Sequence, residues 1–180
     1  MDNNALRRLN YYIDNSADFF ALHVNMAKKP TYNLRQQAEV EKIRRKNGNA
    51  FTAIIPQEDM KQLVKTHLHL FSEGSDGVMR WTGTYPLEML DMAREQKWLL
   101  LWHGDDWKKR PNDRPTHHEN DITARLNVIE FNGETYTRTG NIHKKGNGYN
   151  PDIMGCNGTM IECKGLEGRM TVKALPQDEE

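Results

Sequence analysis

Met60, Leu63, Val64, His67, Leu68 and Phe71 fall at the i, i+3, i+4, i+7, i+8, i+11 spacing of one apolar stripe. That spacing predicts an amphipathic helix from about Gln57 to Phe71. Pro56 precedes it, and Glu58 and Asp59 sit where the positive end of the helix dipole favours acids. Residues 86–97 predict another helix, with proline in the first turn, where the missing amide costs no hydrogen bond. Residues 5–24 also read as helical. Leu6, Leu9, Tyr12 and Ile13 share a face, and Phe19, Phe20 and Val24 follow a break at Asn15-Ser16. Residues 33–46 predict a weakly amphipathic helix, with Asn33 as its N-cap and Asn47-Gly48 as its stop.

The period then changes. Trp98 to Trp102 is a short apolar run bounded by polar residues, as in a buried strand. Residues 103–125 are the most polar stretch and read as a long surface loop. From residue 125 onward the chain reads as β. Leu126, Val128 and Phe131 lead into Asn132-Gly133, and Thr135 to Thr137 follow, a hairpin signal. Cys156-Asn157-Gly158 predicts a second turn, before a strand over Thr159 to Lys164. A last strand is expected over Arg169 to Leu175, ahead of an acidic tail. The expected fold class is α+β: a helical N-terminal half followed by an antiparallel β-sheet built from residues 98–102 and 126–175. The expected organisation is a helical basic N-terminal arm (1–50) and an α+β domain (51–180) carrying the polar loop at 103–125.

Composition narrows the function classes. The chain has 180 residues, of which 37% are hydrophobic and 28% charged. No stretch approaches the roughly 20 apolar residues that a transmembrane helix needs. Residues 1–30 hold no apolar signal core, so a cytoplasmic protein is expected. Two cysteines, Cys156 and Cys163, exclude a disulfide framework and four-cysteine zinc sites. The formal net charge is zero. It hides nine basic against five acidic side chains in residues 1–50, and three against six in residues 151–180. Lys42, Arg44, Arg45 and Lys46 close the second helix, where they complement the dipole and would also contact phosphates. In the polar loop, Trp107 could stack on an exposed base beside Lys108, Lys109 and Arg110.

The strongest chemical signal is Asp152, then Glu162 and Lys164. Two adjacent carboxylates can hold Mg²⁺, and a neighbouring lysine can orient water or steady a phosphate. Hairpin geometry decides whether they meet. If Cys156-Asn157-Gly158 is a three-residue loop closed by a left-handed Gly158, Asp152 pairs with Glu162 and Lys164 shares their face. If Asn157-Gly158 is a two-residue turn, Asp152 pairs with Cys163 and faces away. The bland alternative is an exposed hairpin with solvated charges.

Tyr149-Asn-Pro-Asp-Ile, with Asn157-Gly-Thr-Met-Ile-Glu-Cys-Lys-Gly165 after the turn, resembles the core of PD-(D/E)XK nucleases and is similar to their phage junction-resolving endonucleases. The resemblance covers residues 149–165. It implies a DNA endonuclease with Asp152 and Glu162 as Mg²⁺ ligands and Lys164 as the catalytic lysine. It also implies a further acid on a preceding helix, for which Glu88 and Glu95 are candidates. The family core is similar to α-β-β-β-α-β, whereas only 16 residues follow Lys164 here, and Gly165 to Leu175 reads as strand.

Two other readings compete. One is a non-enzymatic, phage-type regulator or inhibitor that binds a protein or nucleic acid through the polar loop and sheet face. The other is a metallohydrolase holding Zn²⁺ or Mn²⁺ with His103, Asp105, Asp106, His117, His118 and Glu119. His67 and His69 read as core and surface histidines respectively. The expected partner is nucleic acid, DNA before RNA, with a homodimer as a further expected association and no membrane.

Overall fold

The computed structural model describes residues 3–26, 30–73, 79–81, 85–104, 114–139 and 151–165. In chain order the elements are α1 (Asn3–Ser16), β1 (Phe19–Asn25), α2 (Leu34–Asn47), β2 (Ala50–Pro56), α3 (Gln57–Thr66), β3 (Phe71–Glu73), β4 (Met79–Trp81) and α4 (Pro86–Gln96). They continue with β5 (Leu99–His103), α5 (Arg114–Val128), β6 (Tyr136–Arg138), β7 (Ile153–Gly155) and β8 (Met160–Gly165). The fold class is α+β. The main sheet is mixed and runs β5-β2-β1-β8-β7-β6, while β3 and β4 form a separate ribbon. Described neighbours are antiparallel except β1 and β8, which run parallel, with Phe19 beside Ile161 and Leu22 beside Lys164.

The N-terminal half therefore supplies the middle of the sheet. Residues 19–25, expected inside a helical arm, form a strand with neighbours on both sides. The Asn15-Ser16 break is where α1 ends, and Ser16 donates its hydroxyl to the Tyr12 carbonyl at 2.5 Å. β1 is apolar on both faces, so it lacks the alternation that distinguishes a half-buried strand from a helix. β2 is buried along its whole length except at Pro56.

Each helix reaches the sheet through its apolar stripe. Leu9, Tyr12 and Ile13 of α1, Met60, Leu63 and Val64 of α3, and Met89, Leu90 and Ala93 of α4 cover one face, against Phe20, Leu22, Val24, Phe51, Ala53 and Ile55. The other face buries Ala21, Ile54, Leu101, Ile153 and Ile161 under Ile122 and Leu126 of α5, with Tyr136. Each such side chain contributes about 1.5–3 kcal/mol when taken out of water. The expected helix stops hold at α2 and α4. Asn33 and Gln36 form a reciprocal capping box on α2, and Pro86 opens α4. α3 ends at Thr66, and the apolar stripe continues through a 3-10 turn at Leu68–Leu70 into β3.

Residues 114–125, expected as surface loop, belong to α5. Its buried stripe is His118, Ile122 and Leu126, and a histidine in one of three positions hides the apolar period. Val128, expected in a strand, is that helix's last residue, and Asn132-Gly133 is a left-handed turn at φ 52° and 70° rather than a hairpin. The strand expected over 169–175 lies outside the described residues. No helix among the described residues is long and apolar enough to cross a membrane.

Gly48 ends α2 at φ 137°, and a Cβ there would run into the His103 carbonyl oxygen. The next amide, of Asn49, donates to that same oxygen at 2.9 Å. Gly48→Ala is expected to lower stability by roughly 2–4 kcal/mol, read from urea unfolding midpoints. A loss under 0.5 kcal/mol would show that the α2–β2 corner relaxes freely.

Candidate active site

The β7–β8 hairpin sets the site. Ile153 lies opposite Ile161 and Met154 opposite Met160. The Gly155 amide donates to the Thr159 carbonyl at 2.7 Å, and the Gly158 amide donates to the Gly155 carbonyl at 2.9 Å. Gly158 has φ 93°, the left-handed conformation that a three-residue loop requires. Carrying the register one step further sets Asp152 opposite Glu162, with Lys164 on the same face of β8. Glu134 locks the turn from outside, a role the sequence did not reveal. Its carboxylate accepts the Asn157 amide at 2.8 Å and the Thr159 hydroxyl.

β7 begins at Ile153, while β8 runs on to Gly165, so the two strands part beside Asp152. Asp152 uses that gap. One carboxylate oxygen accepts the Cys163 amide at 2.8 Å, satisfying a β8 donor that has lost its neighbour. Glu162 is buried, with 7% of its surface exposed. Burial, and then its hydrogen bond with Asp152 and the Asp152 charge, push its carboxyl up to about 9, against the pull of Lys164. Glu162 is therefore protonated at neutral pH and hydrogen-bonded to Asp152.

A third acid arrives from the opposite side of the sheet. Glu119 of α5 reaches Asp152, and burial followed by the Asp152 charge raises its carboxyl. Arg138 of β6 opposes the rise with an ion pair to Glu119 at 2.9 Å. The resemblance placed a further acid on a preceding helix. An acid that does reach Asp152 is Glu119, on a helix where the sequence predicts a surface loop. Glu88, on α4, instead lies 3.5 Å from His69, and Glu95 is exposed. The spacing of His118, Ile122 and Leu126 was the available signal for α5, and it puts Glu119 just beside the buried stripe.

Beside this cluster lies a buried polar network. The Thr52 hydroxyl bridges His103 Nε2 at 2.8 Å and His118 Nε2 at 3.0 Å, and His103 Nδ1 meets Asp121 at 3.2 Å. It ties α5 to β2 and β5. Burial, then the His103 charge, lowers the His118 pKa to about 4. His117 is exposed, and Asp105 and Asp106 lie outside the described residues. Among the described residues, no group of three or more histidine, cysteine, aspartate or glutamate side chains is arranged to hold a metal ion. Mg²⁺ asks for less, since it commonly takes one or two protein carboxylates and completes its shell with water. Asp152 and Glu162 offer hard oxygen donors brought together by a hydrogen bond, which fits such an ion.

Lys42, Arg44, Arg45 and Lys46 occupy the last turns of α2, as expected. Arg44 is tied to Asn49 at 2.7 Å and to Glu41 at 3.6 Å, and Arg45 to Glu41 at 3.2 Å. Arg44, Arg45 and Lys46 line a shallow groove that ends at Gly104, just beyond β5. Trp107, Lys108, Lys109 and Arg110 lie outside the described residues. No family model, curated protein or solved structure matches the chain.

Glu162 makes stability depend on pH. Its carboxyl rises from 4.5 unfolded to about 9 folded, so the folded chain holds the proton more tightly. The resulting stability is complete below about pH 4.5 and drains away toward pH 9, by up to about 1.4 kcal/mol per pH unit. Glu162→Gln is expected to remove this decline, matching wild type in urea near pH 5 and exceeding it at pH 9. Equal midpoints at both pH values would place the proton elsewhere. His118 acts on the acid side, because its pKa falls from 6.5 to about 4. Its contribution is present above pH 6.5 and lost toward pH 4. Histidine NMR titration should show His118 neutral throughout that interval, and titration near 6.5 would contradict the buried network.

Proposed function

We propose that this chain is a metal-dependent nuclease acting on DNA, of the PD-(D/E)XK type. The observation that carries the reading is the convergence of Asp152, Glu162 and Glu119 at the parting of β7 and β8, with Lys164 on the same face as Glu162. The order of elements supports it. α5, β6, β7 and β8 give the helix and three antiparallel strands of the family core. The helix and strand that the family carries after its lysine have counterparts in α1 and β1. β1 lies parallel against β8, the relation that a crossover helix between two strands requires. In this reading the core is complete in a permuted order.

Asp152 and Glu162 would hold Mg²⁺, and Glu119, steadied by Arg138, would support Asp152 from α5. When bound, the ion neutralises phosphate charge and acidifies water. To serve as a ligand, Glu162 would release its own proton to solvent. Lys164 stands beside Glu162, where its ammonium orients the attacking water and steadies charge developing on the phosphate. Lys42, Arg44, Arg45 and Lys46 would hold flanking phosphates, so binding should fall steeply with salt. Free Cys156 and Cys163 suit a reducing cytoplasm.

Branched, single-stranded and duplex DNA, incubated with Mg²⁺, test the activity. Cleavage is expected for wild type, with Asp152→Ala, Glu162→Ala and Lys164→Ala each reduced by about 10²-fold or more. Wild type and Glu162→Ala behaving alike would end this reading and favour a binding protein. Mg²⁺ titration in two buffers of different ionisation enthalpy is a separate check. Near pH 7 it should release close to one proton per ion in wild type and none in Glu162→Gln.

A further inference from the structure

We infer that Tyr12 of α1 is a positioning residue for Lys164, holding its ammonium over the aromatic ring at the height of the carboxylate pair. This inference rests on the nuclease reading of the site. The Lys164 Nζ lies 5.4 Å from the Tyr12 ring centroid, within the range of a cation–π contact. The placement follows from register. In the parallel β1–β8 pair, Glu162 stands beside Phe20 and Lys164 beside Leu22, and these side chains share the face on which α1 lies. Tyr12 belongs to the α1 stripe with Leu9 and Ile13, and only 2% of its surface is exposed. Its ring is held at 6.3 Å from Phe20, so it spans the two positions that flank Glu162 and Lys164.

A lysine needs such a support more than most catalytic groups do. Its charge sits at the end of a flexible four-carbon stem, and it has no planar fork to fix its direction. Left alone beside Glu162 and Asp152, the ammonium would collapse onto the nearest carboxylate and quench the pair. The electron-rich ring face offers a competing seat that attracts the cation without accepting its protons. The donors of Lys164 stay available to water or phosphate. The hydroxyl plays no part in this account, so phenylalanine should serve and an aliphatic residue should not.

The test uses the full chain. Reductive ¹³C-methylation labels the lysines, and Lys164→Arg identifies the Lys164 resonance. In wild type that resonance should be shifted upfield by the ring current, and it should remain so in Tyr12→Phe. Tyr12→Leu should return it to the position of an exposed lysine. In parallel, kcat for DNA cleavage should fall about tenfold in Tyr12→Leu with KM little changed, and Tyr12→Phe should restore it. A wild-type Lys164 resonance with no ring shift overturns the inference without any variant, so a misfolded Tyr12→Leu does not protect it. An unchanged kcat in folded Tyr12→Leu overturns it equally. Absence of cleavage in wild type would instead remove the nuclease reading, while the ring shift still decides whether Tyr12 seats Lys164.

Discussion

A slip of one residue between β7 and β8 would carry Asp152 to the far face from Glu162 and dissolve the carboxylate pair. The whole candidate site depends on that register. It is secured twice: from within by the left-handed Gly158, and from outside by Glu134, which takes the Asn157 amide and the Thr159 hydroxyl. Because the loop has three residues rather than two, the alternation along β8 points Glu162 and Lys164 together while Ile161 and Cys163 turn to the opposite core.

The cluster is costly, and the surrounding structure offsets the cost. Three carboxyl groups in a partly dry fork cannot all ionise, so Glu162 keeps its proton and hydrogen-bonds to Asp152. Arg138 answers the charge of Glu119, and the Cys163 amide answers that of Asp152. The Thr52, His103, His118 and Asp121 network anchors α5 at the same end of the helix as Glu119. The acid from α5 and the two from the hairpin are thereby brought to one place by elements on opposite faces of the sheet.

The hairpin was legible from the chain because its signals are local. An Asn-Gly turn and period-two alternation mark the hairpin, but they leave two registers open, and the left-handed Gly158 with Ile153 opposite Ile161 selects the three-residue loop. Helix α2 with its Asn33 cap, helix α4 with Pro86, and strand β5 were legible for the same reason. What escaped depends on partners distant in sequence. β1 and β2 are apolar on both faces, so their period is silent, and their pairing with each other and with β8 and β5 defines them as strands. α5 escaped because a histidine stands at one of its core positions, satisfied by Thr52 from another strand. Glu119 is hidden with it, since its contact with Asp152 depends on that helix. Tyr12 reads as plain core until the parallel pairing of β1 with β8 sets Lys164 beneath it.

That parallel pairing has a consequence for how the molecule comes together. Phe19 meets Ile161, a neighbour about 140 residues later in the chain. During synthesis β1 and β2 can zip early, but the edge of β1 that takes β8 waits bare until about 140 further residues have been made. Closing so large a loop slows folding, and an uncovered apolar strand invites wrong partners in the meantime. The fork that gathers the acids therefore forms late, so a chain stopped short of β8 would carry the earlier helices and the β1–β2 pair without the candidate site.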